Sequence, residues 1–290
     1  RETRPSEEAT LAARAIDRSI RPRFDLRMRN EVQIVASILS IDDKNDPDVV
    51  ALLGASLALS LSDIPWQGPV AGIRVARRDG TLILNPSFEE RATADIDVMI
   101  SGTKERVNMI EAGAREVAEE DFGAALEQGF AAIRDLVAFQ ERIIAEHGKQ
   151  KRAVPLLTLA EPLAALLKNE FHADIEAAVY QPNKQAMHAS VSAVKAAWHA
   201  RAKEAHPDLY QKNAADFFFD EAIDEIVHSR ILGAGERPDG RKPEDIRALS
   251  ASVAVLPRVH GSGLFMRGST HVLSTLTLGA PGDEQIIEGM

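Results

Sequence analysis

Cysteine is absent from the 290 residues. That excludes disulfides, thiolate nucleophiles and zinc–thiolate sites, and it fits a reducing, cytoplasmic location. Aromatic residues make up only 5%, so any stacking of bases would rest on a few well-placed rings. No apolar run reaches membrane-spanning length, so no membrane partner is expected. The first residues are charged, so no signal peptide is expected. There is no Walker phosphate loop, no Rossmann glycine fingerprint and no HExxH helix. Of the eight histidines, the nearest pair, His199 and His206, lies seven apart beside Lys and Pro, so a zinc site is not expected.

Basic charge is also scarce, and it is concentrated. The chain nets −10. Yet its first thirty residues hold eight arginines (Arg1, Arg4, Arg14, Arg18, Arg21, Arg23, Arg27, Arg29) against five acids. A basic island in an acidic chain implies a local anionic partner. Pro5-Ser6-Glu7-Glu8 reads as a helix start, with Ser6 as cap and the glutamates at the positive end of the helix dipole. Leu11, Ala12, Ala15, Ile16 and Ile20 follow at helical spacing as the buried stripe. Pro22 stops the helix near Ile20. Arg14, Arg18 and Arg21 then stack on the opposite face. Such a row suits a track of phosphates, because each guanidinium can fork onto phosphate oxygens. It also suits a solvated face salt-bridged through Asp17, Glu7 and Glu8, and spacing alone leaves both open.

Further along, Val32–Ile41 is β-rich and reads as a buried strand. Val49–Leu61, VVALLGASLALSL, is a helix apolar enough to be buried on most sides. Val70–Ala76 and Thr81–Leu84 form a hairpin about Asp79-Gly80. Ile96–Ile100 is a strand, and Glu105–His147 is mostly helical with a break near Phe122-Gly123. Gly148–Pro155 is a polar, basic linker. From Leu156 to about Ile231 the texture is all-helical, broken at Pro162, Pro182 and Pro207. Strands return at Leu249–Val255, Leu264–Met266 and His271–Leu278. The expected boundaries are 1–147, 148–232 and 233–290, and the fold class is α+β. The chain starts on Arg and stops at Gly289-Met290, which suggests a piece of a longer protein.

Three local candidates lead nowhere firm. Ser56 lies in GASLA rather than a nucleophile elbow and reads as a packing residue. Asp95 and Asp97 are not expected to share a metal, one of them lying at the surface. His260-Gly261-Ser262-Gly263 could hold an anion on exposed backbone N–H groups, but reads as a plain turn.

The longer strings are more specific. RETRPSEEATLAARAIDRSIRP, NEVQIVASILS, NDPDVVALLGASLALSLSDIPWQGPVAGIRV and LNPSFEE, followed by GERPDGRKPEDIRAL, LPRVHGSGLFMRGSTHVL and TLTLG, closely resemble the bacterial polynucleotide phosphorylase family. The likeness covers most of residues 1–100 and 221–290. It implies two RNase PH-like β-α-β domains (a two-layer, ribosomal-protein-like fold) around an all-helical domain, the first domain lacking its start and the second cut short. It also implies a cytoplasmic homotrimer threading single-stranded RNA, working with other RNA-degradation proteins in mRNA catabolism and RNA processing. The implied reaction is phosphorolysis with inorganic phosphate as co-substrate and Mg²⁺ as cofactor. A non-catalytic RNA-binding or scaffold subunit is the alternative.

By the same resemblance, catalysis belongs to the second RNase PH-like domain, beyond Met290, so neither catalytic nor metal residues are expected in this chain. In the first domain Asp97 falls on a catalytic-strand Asp, but Met99 stands at the lysine position and Arg91 at an upstream acid. The chain by itself is therefore expected to be inactive, with Asp97 a relic or structural. Arg1, Arg4, Arg14, Arg18 and Arg21 match positions facing RNA. Arg23, where an apolar residue is common, and Ser269, where Glu or Gln is common, depart from the pattern. His260 and Arg267 are expected to be structural.

Overall fold

The computed structural model describes residues 6–283. The chain divides into two compact units, 1–157 and 158–290.

The first unit is built on a four-stranded antiparallel sheet. Its order is β2 (Thr81–Leu84), β1 (Ala71–Arg78), β3 (Ile96–Gly102), β4 (Val107–Ala114). The β1–β2 hairpin closes as the sequence predicts, with Asp79 and Gly80 both at positive φ (51° and 76°) and Arg78 opposite Thr81. Alternation along the strands gives the sheet two faces. Ile73, Val75, Ile96, Val98 and Ile100 pack on α4 (Glu119–His147). Val70, Met99 and Met109 pack on α1 (Glu7–Ile20) and α2 (Pro47–Leu61). A short α3 (Phe88–Thr93) precedes β3 and carries a full capping box between Ser87 and Glu90.

Four expectations change here. Glu105–His147 is not one broken helix: Val107–Ala114 is an edge strand paired to β3, and α4 runs unbroken through Gly123. The string VNMIEAGA lacks period-2 alternation, so its pairing with β3, not its pattern, makes the strand. Val32–Ile41 is not a buried strand. No ladder forms along it, and Val35 and Leu39 are 74% and 95% exposed. A strand exists only with a neighbour to take its N–H and C=O groups. The α2 helix buries one side (Leu52, Ala55, Ser56, Leu59), while Val50, Gly54 and Ala58 stay exposed. Residues 34–42 and this open side together line a cavity of about 630 Å³. Leu11 is 48% exposed, so the buried stripe of α1 is Ala15, Ser19 and Ile20.

The stretch after α4 is less of a linker than its composition suggests. The Lys151 ammonium donates to the carbonyls of Leu59, Ser60 and Ser62 at 2.7–2.9 Å, capping the C-terminal end of α2. Burial lowers its pKa below the usual lysine value.

The second unit is helical up to Ala234, as predicted. It comprises α5 (Glu161–Leu166), a wide turn at Leu167–Phe171, α6 (His172–Val179), α7 (Lys184–Ala205) and α8 (Lys212–Ala234). Pro162 sits in the first turn of α5, where proline costs no hydrogen bond, while Pro182 and Pro207 fall between helices. Leu163, Phe171, Ile175, Trp198, Phe219 and Ile226 form its core. β5 (Leu249–Val253), β6 (Gly261–Arg267) and β7 (Thr270–Leu276) make an antiparallel meander close to the predicted strands. In the β6–β7 turn Gly268 has φ +58°. His260 Nδ1 accepts the Leu278 N–H at 2.8 Å, a structural contact.

Candidate nucleic-acid interface and the aspartate–arginine ring

The first helix starts where its capping signal predicts: Ser6 Oγ accepts the Ala9 N–H at 3.1 Å. It ends at Ile20, and a short turn over Arg21–Arg23 follows, with Pro22 inside. Arg1 and Arg4 lie outside the described residues. Arg14, Arg18 and Arg21 are all exposed, but they are not equivalent. Arg14 has no carboxylate partner among the described residues. Arg18 reaches Glu111 on β4 at 3.6 Å, with both side chains more than half exposed, a contact worth little in water. Arg21 is bonded one turn back to Asp17. Arg21 thus has a close carboxylate partner, Arg18 a distant one, and Arg14 none among the described residues.

On β3, near the start of α2, lies the position that the family likeness aligns with a catalytic carboxylate. Asp97 on β3 shares the α2-side face with Met99. Its Oδ1 accepts Arg74 Nε at 2.6 Å, and its Oδ2 accepts Arg74 Nη2 at 3.0 Å and Arg91 Nε at 3.1 Å. The same two arginines reach Asp46 Oδ2, from Arg74 Nη1 at 2.8 Å and Arg91 Nη1 at 2.7 Å. The remaining Asp46 oxygen caps α2 by accepting the Asp48 N–H at 3.0 Å. The four side chains form a closed ring in which each aspartate holds both arginines. Their side chains are only 11–26% exposed.

The ring settles two readings. Every oxygen of Asp46 and Asp97 is committed to an N–H donor, and two guanidiniums occupy the space between them. A divalent cation needs free oxygen ligands, so these residues do not fit one. Asp97 is thus a structural partner rather than an idle relic. Of the Asp95–Asp97 pair, Asp95 is the more exposed, with 39% of its side chain accessible against 26% for Asp97. Asp95 is nonetheless paired, clamped by Arg77 at 2.8–3.0 Å. Burial pushes Asp97 up, but the hydrogen bond from Arg74 and the charges of both arginines outweigh it and hold the carboxyl below its usual range. Asp48, next to the ring, goes the other way. Burial first, then the Asp46 charge, raise it to about 6.

Other polar clusters are structural. Ser56 Oγ accepts the Val70 N–H at 3.0 Å and donates to Gln140 Oε1 at 2.8 Å, and Gln140 Nε2 donates to the Val70 carbonyl at 2.9 Å. This buried link joins α2, α4 and β1, so Ser56 does more than pack, and Gln140 carried no local signal. In the second unit His199 contacts Tyr210 Oη and Asp216 Oδ1, each at 2.9 Å. That acidic partner is seventeen residues away, where spacing rules do not look. Among the described residues no group of three or more His, Asp or Glu side chains is placed to hold a metal.

Comparisons with known proteins agree on the class. Residues 1–65 match the model of the 3′ exoribonuclease family, domain 1, and residues 68–132 match that family's domain 2. Over residues 1–132 the chain is thus similar to both domains of the 3′ exoribonuclease family. Residues 162–242 match the RNA-binding domain of polyribonucleotide nucleotidyltransferase. The curated relatives carry the same name. The polyribonucleotide nucleotidyltransferase of Geobacillus kaustophilus is 45% identical over 290 residues, covering 100% of this chain and 40% of its own length. That of Streptococcus gordonii is 43% identical over 294 residues, with 100% and 40% covered. That of Heliobacterium modesticaldum is 43% identical over 292, with 100% and 41% covered. The chain thus spans about two-fifths of the length of these relatives. The crystal structure of rice Rrp46 aligns with TM-score 0.40 and 15% identity over 49% of this chain and 68% of that one, too low to bear an argument.

Proposed function

We propose that this chain is the RNA-guiding part of a phosphorolytic 3′-to-5′ exoribonuclease, a polyribonucleotide nucleotidyltransferase. In the reaction, inorganic phosphate attacks the 3′-terminal phosphodiester. A new phosphorus–oxygen bond forms, the bond to the preceding 3′-oxygen breaks, and a nucleoside 5′-diphosphate leaves. Two anions must meet, so the reaction centre needs cationic clamps and a metal, with Mg²⁺ as the expected ion. The ring at Asp97 cannot supply that metal site, so we assign the reaction centre to residues outside this chain. We further assign 1–147 and 233–290 to RNase PH-like domains and 148–232 to the linker and helical domain between them. A cytoplasmic homotrimer acting on single-stranded RNA completes the reading.

The observation that carries the RNA-guiding role is the exposed pair Arg14 and Arg18, one without a carboxylate partner among the described residues and the other loosely held, in an otherwise acidic chain. Replacing both (Arg14→Ala with Arg18→Ala) in the full-length protein is expected to weaken binding of an oligoadenylate roughly tenfold. It should also flatten the log–log salt dependence by roughly 1.4, about 0.7 per phosphate contact on a single strand. Unchanged affinity across a salt series returns both residues to a solvated face.

A further inference from the structure

The row of arginines does not end with α1. Two residues past Arg21, the side chain of Arg23 lines a cavity of about 450 Å³, together with Gln67, Lys104, Glu105, Arg106 and Glu141. Charges around this cavity divide into those that are spoken for and those that are not. Lys104 donates to Glu141 at 2.8 Å, so that pair is closed. Arg23 donates through Nε (3.0 Å) and Nη2 to the single carbonyl of Gln67. Those contacts hold its guanidinium plane in place without neutralising it. Arg106 sits on the exposed turn between β3 and β4. Its carbonyl accepts the Thr103 N–H at 2.9 Å and its own N–H donates to Thr103 Oγ1 at 3.2 Å, which sets the turn. Its guanidinium has no partner among the described residues. Glu105, exposed on the same turn, is the one acid left over.

Two guanidiniums that meet no carboxylate among the described residues, on one cavity, repel each other and lower their energy by sharing an anion. The cavity is tied to the end of α1: Asn108, also on its wall, donates through Nδ2 to the Ser19 carbonyl at 2.8 Å. We propose that Arg23 and Arg106 form a second phosphate-binding pocket, continuing the track of Arg14 and Arg18 and taking a phosphodiester of single-stranded RNA. The proposal rests on the RNA-guiding reading of α1. A free phosphate or nucleoside diphosphate has the same recognition chemistry, so the test must separate the two sources.

The experiment uses the full-length protein and a fluorescent oligoadenylate, with anisotropy read across a salt series. Arg106→Ala, on an exposed turn, is expected to weaken binding three- to tenfold and to flatten the salt slope by about 0.7. Arg23→Leu should do the same, and Arg106→Lys should restore the slope. The Arg14→Ala, Arg18→Ala protein is run alongside. If it loses affinity while Arg106→Ala and Arg23→Leu bind as the unaltered protein does, the second pocket is wrong and the α1 track stands. If none of the three changes, the α1 reading falls as well. Calorimetry with inorganic phosphate and with ADP supplies the other arm. Loss of their binding in Arg106→Ala, with RNA affinity unchanged, overturns the RNA assignment in favour of a small-anion site.

Discussion

Asp97 and Asp48 lie near the same arginines and are driven in opposite directions. Asp97 has two guanidiniums on its oxygens and stays ionised. Asp48 has its carboxyl buried beside Asp46 and is raised to about 6, despite its favourable place at a helix N-terminus. The signs follow from linkage. A carboxyl raised in the folded state binds a proton there before it does in the unfolded chain. Its contribution is therefore present at about pH 4 and lost as pH rises to about 6. Asp48→Asn removes that loss. The variant is expected to match the unaltered protein near pH 4 and to exceed it at pH 7 by about 1–2 kcal/mol after allowing for solvent screening. Denaturant unfolding followed by the buried Trp66, in a Trp198→Phe background, checks this. A constant difference across pH 4–7 would remove Asp48 from the ring's electrostatics.

At the scale of elements, α4 shows how packing overrides local preference. Gly129 costs the helix about 1 kcal/mol relative to alanine. Its place on the sheet explains the tolerance: an added Cβ would lie 2.5 Å from Ile100 Cδ1 and 2.9 Å from Val75 Cγ2. Gly123, in the same helix, has nothing within 4 Å of such a Cβ. Gly129→Val should lower stability by about 1–3 kcal/mol through overpacking, whereas Gly123→Ala should raise it by up to about 1 kcal/mol. Thermal or denaturant midpoints of the two variants decide the matter, and equal shifts of one sign would contradict the close approach. This difference between two glycines of one helix was not legible in sequence. Residues 105–147 read as mostly helical, with a break near Phe122-Gly123, because Ala, Glu and Gly recur on both sides of the β4–α4 junction. By contrast, the Ser6 cap, the Pro22 stop and the Asp79-Gly80 turn were legible, because each acts on backbone within four residues of itself.

For the whole molecule, the chain is two units with one buried tryptophan in each, Trp66 and Trp198, so each can be followed separately. The 290-residue chain alone is expected to release no ADP from polyadenylate in the presence of phosphate and Mg²⁺. Phosphate-dependent ADP release from the purified chain would place a reaction centre within it and contradict the reading of Asp97, Met99 and Arg91. The long strings about Arg1–Pro22, Asn45–Val75 and Gly235–Gly279 were enough to point to the family. They could not say which arginines are free.

The sequence by itself determined the ends of α1, the β1–β2 and β6–β7 hairpins, the helical middle, the α+β class and the family likeness. These follow from caps, turns and periodicities that operate between near neighbours, or from strings long enough to be specific. Only the tertiary structure decided which charges are spent. Arg74 meets Asp97 across 23 residues and Arg91 meets Asp46 across 45, while Arg14 and Arg106 meet no carboxylate among the described residues. An ion pair depends on distance in space, and pattern along the chain does not carry that distance until the sheet and helices have packed.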